Sequence, residues 1–471
     1  MANVVIYGGG LQAVAAAAKF LSETETDTVD MIVPYVAPEG SSYLGGLATY
    51  GGQNFFDLRR WNNDLVTKGT FSWWLSQVGQ FYNVEELSKL LYNDLNKYNK
   101  DKGRIVFWFG YDICEFEKAY QPYRITEVSI RKIVMDEFDC VQWKGIPRLL
   151  HGDIFIDASD DGKLMRIVNS SATVGRSDWP TQFLDEDERS GHGRQQAATL
   201  MYKVKNAKPD LNNFTPNMRW DRLENGAIGC YGGWTQYRGE FGGAVSEFNK
   251  ANSDNGFIIK PINAAQDGAN SDEWWINNLL VFNVDGRAHE RDKEYGLYPT
   301  DVREDYTSVD CAYRAARRVL DSDLFIKALR SFSGFENAEL VRDENGKPVT
   351  GNTLYLRETI HIARNSSIRY PNTEDINYAV TTKHCATAGD NRRHGRDIEN
   401  YPERIGLNYY WTDINAYKVD DLIDESGKYI WGWEVSRKLR PDISIDNASP
   451  YNPVYIPYPF ICQSEINGHL M

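Results

Sequence analysis

The residues with the plainest chemical purpose stand at the start of the chain: Gly8-Gly9-Gly10-Leu11-Gln12-Ala13, after Val4, Val5, Ile6 and Tyr7 and before an alanine-rich run to Leu21. This Gly-X-Gly-X-X-Ala spacing lets a backbone lie against the diphosphate of a dinucleotide. Gly8 permits the tight turn, Gly10 the close approach, and Ala13 keeps the following helix near the strand. The N–H groups of the first helical turn, Leu11 and Gln12 among them, then point with the positive end of the helix dipole at the anion. A purely structural glycine turn carries the same letters. The apolar strand before it and the proline-free helix behind it favour the nucleotide reading.

Two further stretches suit the same task. Gly45-Gly46-Leu47-Ala48-Thr49-Tyr50-Gly51-Gly52 is too glycine-dense for regular helix and lets backbone pass close to a flat ligand, or is simply a mobile surface loop. In Phe155-Ile156-Asp157-Ala158-Ser159-Asp160-Asp161-Gly162 a buried strand ends in small residues and an acidic turn, where backbone and carboxylate can meet a sugar-phosphate spine. One expected partner is missing: the second strand, residues 29–33, runs into Pro34-Tyr35, and the nearest acid after it is Glu39, so no carboxylate stands ready for the ribose.

The elements that must position these groups follow from patterning. Residues 84–99 place Leu87, Leu90, Leu91, Leu95 and Tyr98 on one helical face. Residues 105–109 read as a strand, and residues 124–136 and 140–149 as a β-meander. The acidic run at residues 185–188 reads as a solvated loop. Beyond it the chain turns β-like, with hairpin signals at Asn225-Gly226, Asp285-Gly286 and Asn345-Gly346 and a helical stretch over residues 309–329.

Length and composition bound the class. A chain of 471 residues asks for more than one core. With 52 Lys+Arg against 66 Asp+Glu, a net charge of −14 disfavours nucleic acid or an anionic membrane as partner. The 6 cysteines include no C-x-x-C pair, which argues against a metal centre and for reduced thiols in the cytoplasm. No stretch reaches a membrane span, and a first strand beginning almost at Met1 leaves no room for a signal peptide.

Taken together, Tyr7-Gly8-Gly9-Gly10, Leu44-Gly45-Gly46-Leu47-Ala48-Thr49, the segment from Phe155 to Gly162, Leu356-Arg357-Glu358-Thr359, and Tyr410-Trp411-Thr412-Asp413-Ile414-Asn415 with Tyr455-Ile456-Pro457-Tyr458 resemble, in order, the FAD-dependent oxidoreductases of glutathione-reductase-type fold. The resemblance implies an α/β protein: a Rossmann-like βαβ FAD-binding domain at residues 1–190, an inserted α+β antiparallel-sheet substrate domain at 191–380, and a return to the FAD domain at 381–471. FAD would contact Gly8, Gly9, Gly10, Leu11, Gln12, Ala13, Gly45, Gly46, Thr49, Asp157, Ala158, Asp161 and Gly162. Where the family tends to show Asp-Ile-His, this chain has Asp413-Ile414-Asn415. It also stops about where the family's last flavin-binding strand begins, so a second polypeptide is expected to complete the site, or the chain is a non-catalytic subunit.

Flavin chemistry asks the protein to place a substrate bond and manage one proton. His361, His384 and His394 are the candidate carriers, Asp413 an orienting acid, and Arg357 a candidate fork for a substrate carboxylate, unless it pairs internally with Glu358. Cys230 reads as a buried thiol, and the pairs Trp73-Trp74 and Trp274-Trp275 as core. The activity implied is hydride removal from, or desaturation of, a small organic substrate. A nicotinamide-binding dehydrogenase is the other dinucleotide reading.

Overall fold

Val4 and Ile6 turn to one side of the first strand and Val5 and Tyr7 to the other, and all four are at most 1% exposed, as a strand covered on both faces requires. In the computed structural model this strand, β1 (Asn3–Tyr7), lies parallel between β2 (Thr28–Val33) and β9 (Ile154–Asp157). With β5 (Ile105–Phe109) it makes a four-stranded sheet in the order β5-β2-β1-β9. The structure describes residues 2–36, 44–58, 60–61, 64–65, 67–99, 103–120, 123–168, 172–189, 193–211, 217–239, 243–362, 404–408, 414–441 and 454–457.

Helices α1 (Leu11–Glu23) and α3 (Val84–Asn96) cover one face of the sheet, with Ala13, Val14, Ala17, Leu87, Leu91 and Leu95 in a shared core. The other face carries a three-stranded antiparallel meander, β6 (Tyr111–Tyr120), β7 (Tyr123–Met135) and β8 (Val141–His151), whose Ile113, Val128 and Ile130 meet Val5 and Tyr7. Between these elements lie the short strands β3 (Arg60–Trp61) and β4 (Asp64–Leu65) and helix α2 (Gly69–Val78).

Strand β9 departs from the sequence reading. It is the edge of its sheet, and Ile154 is 48% exposed, so it is only partly buried. After it come α4 (Lys163–Ile167) and β10 (Ala172–Val174).

The second half is organised by a six-stranded antiparallel sheet, order β12-β13-β14-β15-β11-β18, from β11 (Ala198–Lys205), β12 (Met218–Arg222), β13 (Ile228–Gly232), β14 (Phe257–Gln266), β15 (Glu273–Val281) and β18 (Glu339–Leu340). Helix α5 (Trp234–Arg238) and helix α6 (Ala244–Asn252) follow β13, and α6, α7 (Val309–Val319) and α8 (Asp323–Leu329) pack Val245, Phe248, Ala312, Ala316 and Phe325 into its core. Asn225-Gly226 and Asn345-Gly346 do form turns.

Three expectations are revised here. Residues 309–329 are two helices, because the Ser322 hydroxyl caps a new N-terminus by accepting from Phe325 N–H. Asp285-Gly286 makes no hairpin: β16 (Val284–Asp285) pairs in parallel with β17 (Thr307–Ser308), and Arg287 folds back onto the Asp285 carboxylate. The run at residues 185–188 is solvated only in part: Glu186 and Asp187 are exposed. Glu188 is 1% exposed against Arg176, while Asp185 and Asp187 take Lys418, Arg194 and Arg303, since buried carboxylates persist only when paired. Among the described residues no helix is long and apolar enough to cross a membrane.

Candidate cofactor and active site

The glycine turn closes on its own sheet. Gly8 holds φ 129°, and a Cβ there would lie 2.2 Å from the Ala158 carbonyl oxygen, so β1 and β9 approach only because the residue is glycine. The loop after residue 44 docks alongside: Gly45 N–H donates to the Gly9 carbonyl at 2.7 Å, and a Cβ on Gly46 would come 3.1 Å from Gly10 Cα. The Thr49 hydroxyl ties that loop by donating to the Leu44 carbonyl at 2.8 Å. Asp157 does the same for its own turn, accepting from Ser159 N–H, Ser159 Oγ and Met165 N–H. Gly8, Gly9, Gly10, Gly45, Gly46, Ala158 and Gln12 thus come together at one corner, while Thr49 and Asp157 hold its loops.

This corner fits a diphosphate. Helix α1 starts at Gly10 without a side-chain cap and without an acid in its first turn, which leaves donors and a positive dipole end for an anion. A Cβ on Gly10 would meet first the Gln12 amide, 2.6 Å away, the far end of a flexible side chain. Where a ribose carboxylate is expected, the chain places Tyr35: its ring lies against Gly9, and its hydroxyl donates to Asp160 Oδ2 at 2.8 Å.

Beside the corner opens a cleft. Ile133, Met135, Val141, Leu354 and Leu356 give it an apolar wall, and Asp160, Asp161, His289, Arg291 and Asp310 a charged one. The His289 ring sits with Nε2 3.5 Å from Asp161 and Nδ1 3.6 Å from Asp310. Burial and the nearby Arg291 oppose a charge on this imidazole, but the two carboxylates outweigh them and raise it to about 9. Despite the same burial, the His289 charge holds Asp161 and Asp310 down at about 2. At neutral pH the cleft therefore presents an imidazolium between two carboxylates.

Beneath it lies a second charged set. Lys163 Nζ donates to Asp112 at 2.9 Å and to Asp292 at 2.7 Å, Arg291 Nε to Asp112 at 2.8 Å, and the Tyr7 hydroxyl to Asp112 at 2.9 Å. Lys163 and Asp112 are fully buried. Burial disfavours the Asp112 charge, yet Lys163 and Arg291 hold its carboxyl well below the usual range. Lys163 is placed by Gly162, whose left-handed φ of 59° turns the chain into α4. His289, Arg291 and Asp292 are placed by the turn at Glu290–Tyr295, which the Asp310 carboxylate caps by accepting from Glu290 N–H.

The expected proton carriers fare differently. His361 lies on β19 (Ile360–Ile362), paired with β10 through Thr173, and its side chain is outside the described residues. His384, His394 and Asp413 are outside them altogether. Arg357 lies at a bend shortly before β19. Its guanidinium lies over the Tyr355 ring at 4.7 Å, near Thr199 Oγ1. Cys230 is a buried thiol, pushed up by its burial. Trp74, Trp274 and Trp275 are core, and Trp73 is 43% exposed. The sequence reading missed His289, Arg291, Asp310, Asp112 and Lys163. The crowding of His289, Arg291 and Asp292 within four positions was the one local signal.

A family model described as FAD dependent oxidoreductase matches residues 3–369. No curated protein matches the chain. Among solved structures, the flavin-dependent brominase Bmp2 is 9% identical at a TM-score of 0.33 over 80% of this chain and 70% of that one. The flavin-dependent halogenase CmlS is 12% identical at 0.35 over 77% and 50%. CabE, an aromatic hydroxylase from angucycline biosynthesis, is 10% identical at 0.23 over 48% and 40%. The family match runs from β1, through the glycine corner and the charged cleft, past β19, and on that ground the chain belongs to the FAD dependent oxidoreductase family and is an FAD-dependent enzyme.

Proposed function

We propose that the chain removes a hydride from, or desaturates, a small organic substrate held in the cleft between a glutathione-reductase-type FAD domain and an inserted domain built on the six-stranded sheet. The observation that carries this reading is the position of His289, between Asp161 and Asp310, in a cleft that opens beside the glycine corner. Ligands of open α/β sheets bind outside the carboxyl ends of the strands, where this cleft lies.

The backbone of residues 8–10, the first amides of α1, Gly45, Gly46 and the turn from Asp157 to Gly162 would hold the cofactor. Bound FAD supplies a two-electron acceptor. The apolar wall orients the substrate and excludes water from the reacting bond. His289 is charged at neutral pH, so it serves as a fixed positive charge for developing negative charge and not as a base. Asp160, exposed to the cleft and held by the neutral Tyr35 hydroxyl and Gln12 amide, takes the substrate proton. His361, next to Ile360 on the strand that packs against Gly162, is the second carrier of this scheme, and His384, Asp413 and Arg357 keep the roles expected of them. The reading includes a cytoplasmic location.

The test is to purify the chain, record its visible spectrum, and add alcohols and amines without oxygen. A flavin spectrum that bleaches with one substrate class supports the reading. A protein that takes up no FAD even on reconstitution ends it and leaves the non-catalytic subunit.

A further inference from the structure

Two cysteines from different elements meet on one side chain. Arg314, on α7, donates from Nη1 to Sγ of Cys140 at 2.9 Å and from Nη2 to Sγ of Cys311 at 3.7 Å. Both thiols are free and neither is fully buried. Cys140 closes the turn between β7 and β8, its N–H donating to Asp136 Oδ1, and is flanked by Asp139 and Val141. Cys311 stands in the first turn of α7, after Val309 and Asp310. Those four neighbours all line the cleft. Already the same two elements are pinned by Arg317 donating to Asp139 at 2.8 Å.

We propose that Cys140 and Cys311 form a reversible disulfide, with hydrogen peroxide as oxidant, that staples the β7–β8 turn to α7 and fixes the width of the cleft. Arg314 swings out as the bond forms. The Cys140 thiolate, the nearer to the guanidinium, attacks the peroxide, breaking O–O and giving a sulfenic acid and, after one proton is taken up, water. Cys311 then loses its proton and attacks the sulfenic sulfur, forming S–S and releasing the hydroxyl as a second water. Two thiols give up two electrons, and one peroxide becomes two waters. Burial keeps Cys140 above the ordinary thiol range, although Arg314 draws it down, with Asp136 and Asp310 pushing the other way. The lock therefore closes slowly at neutral pH and faster in alkali, as the thiolate fraction grows. It acts on the cleft walls and does not depend on which substrate the cleft takes.

Full-length FAD-loaded protein is treated with hydrogen peroxide, alkylated, digested without reductant and examined by mass spectrometry. The expected product is one pair of peptides joined through Cys140 and Cys311, undone by dithiothreitol. In Cys311→Ser no pair forms, and Cys140 is trapped as a sulfenic acid by dimedone. Release of FAD from the oxidised wild type is severalfold slower and recovers on reduction. Separate oxidation of the two thiols, a pairing of either with another cysteine, or a Cys311→Ser variant that behaves like the wild type would overturn the disulfide. Unchanged FAD release in cross-linked protein would overturn the lock.

Discussion

The phenol of Tyr35 donates a 2.8 Å hydrogen bond to Oδ2 of Asp160, joining the end of β2 to the turn after β9 beside the glycine corner. Gln12, the second residue of α1, reaches the same carboxylate at 3.4 Å and the Ala158 carbonyl at 3.1 Å. A negative group thus stands next to the place where a diphosphate fits.

Replacing that charge separates binding from turnover. Two like charges near a solvated surface repel by about 1 kcal/mol, so Asp160→Asn tightens FAD binding by roughly fivefold. Fluorescence titration measures this. The same variant loses turnover if Asp160 takes the substrate proton. Weaker FAD binding in Asp160→Asn would contradict the placement of the diphosphate.

The glycines divide by what their missing Cβ would strike. Gly8→Ala drives a methyl into the Ala158 backbone at a φ of 129°, and costs about 2 to 4 kcal/mol in chemical denaturation. In Gly10→Ala the nearest atoms to the new methyl are the flexible end of Gln12, which leaves stability within about 1 kcal/mol, while FAD affinity falls at least about tenfold, since Gly10 lies where the backbone must approach the diphosphate. An equal loss of stability in both would show that the turn is structural alone.

His289 makes stability depend on pH with a definite sign. Its folded value of about 9 lies above the ordinary 6.5, so its contribution is complete below about 6.5 and is lost as pH rises through about 9. That shift corresponds to on the order of 3 kcal/mol. His289→Gln is expected to unfold more easily at pH 6 by roughly this amount and to converge on the wild type near pH 10. Asp161 and Asp310, held at about 2, add stability that is present above the ordinary carboxylate range and lost as pH falls through 2. Urea melts across pH decide it, and a constant gap between wild type and His289→Gln would refute the charged imidazole.

Lys163 carries a fully buried charge. Lys163→Met leaves Asp112 and Asp292 without their ammonium partner in a fully buried site, and is expected to cost about 3 to 5 kcal/mol, several times the cost of losing a surface pair. The exposed pair Lys327 with Glu247 is the control, and Lys327→Ala should change stability by less than about 1 kcal/mol. Similar losses for the two would mean that water reaches Lys163.

Much of this was legible in the chain itself, and the rest was not, for one physical reason. Strand, glycine turn and helix at residues 3–23 are local devices: β-branched alternation, a φ only glycine adopts and alanine spacing act within one turn of chain, so their letters disclose them. The same holds for α3 and the meander. What sequence could not disclose are contacts across long separations. Asp185 and Glu188 read as solvent-facing because their arginines arrive from other segments. The break at Ser322 was missed because apolar spacing continues through a cap. Asp112, Lys163, His289 and Asp310 share no pattern: four different elements bring them together, and the Asp161 and Asp310 carboxylates give His289 its charge against the opposition of burial. Sequence alone determined the family's glycine corner, because backbone geometry is set by neighbours. Only the tertiary structure decided which acid and which histidine face the cleft, because side-chain charge is set by whatever the fold packs against it.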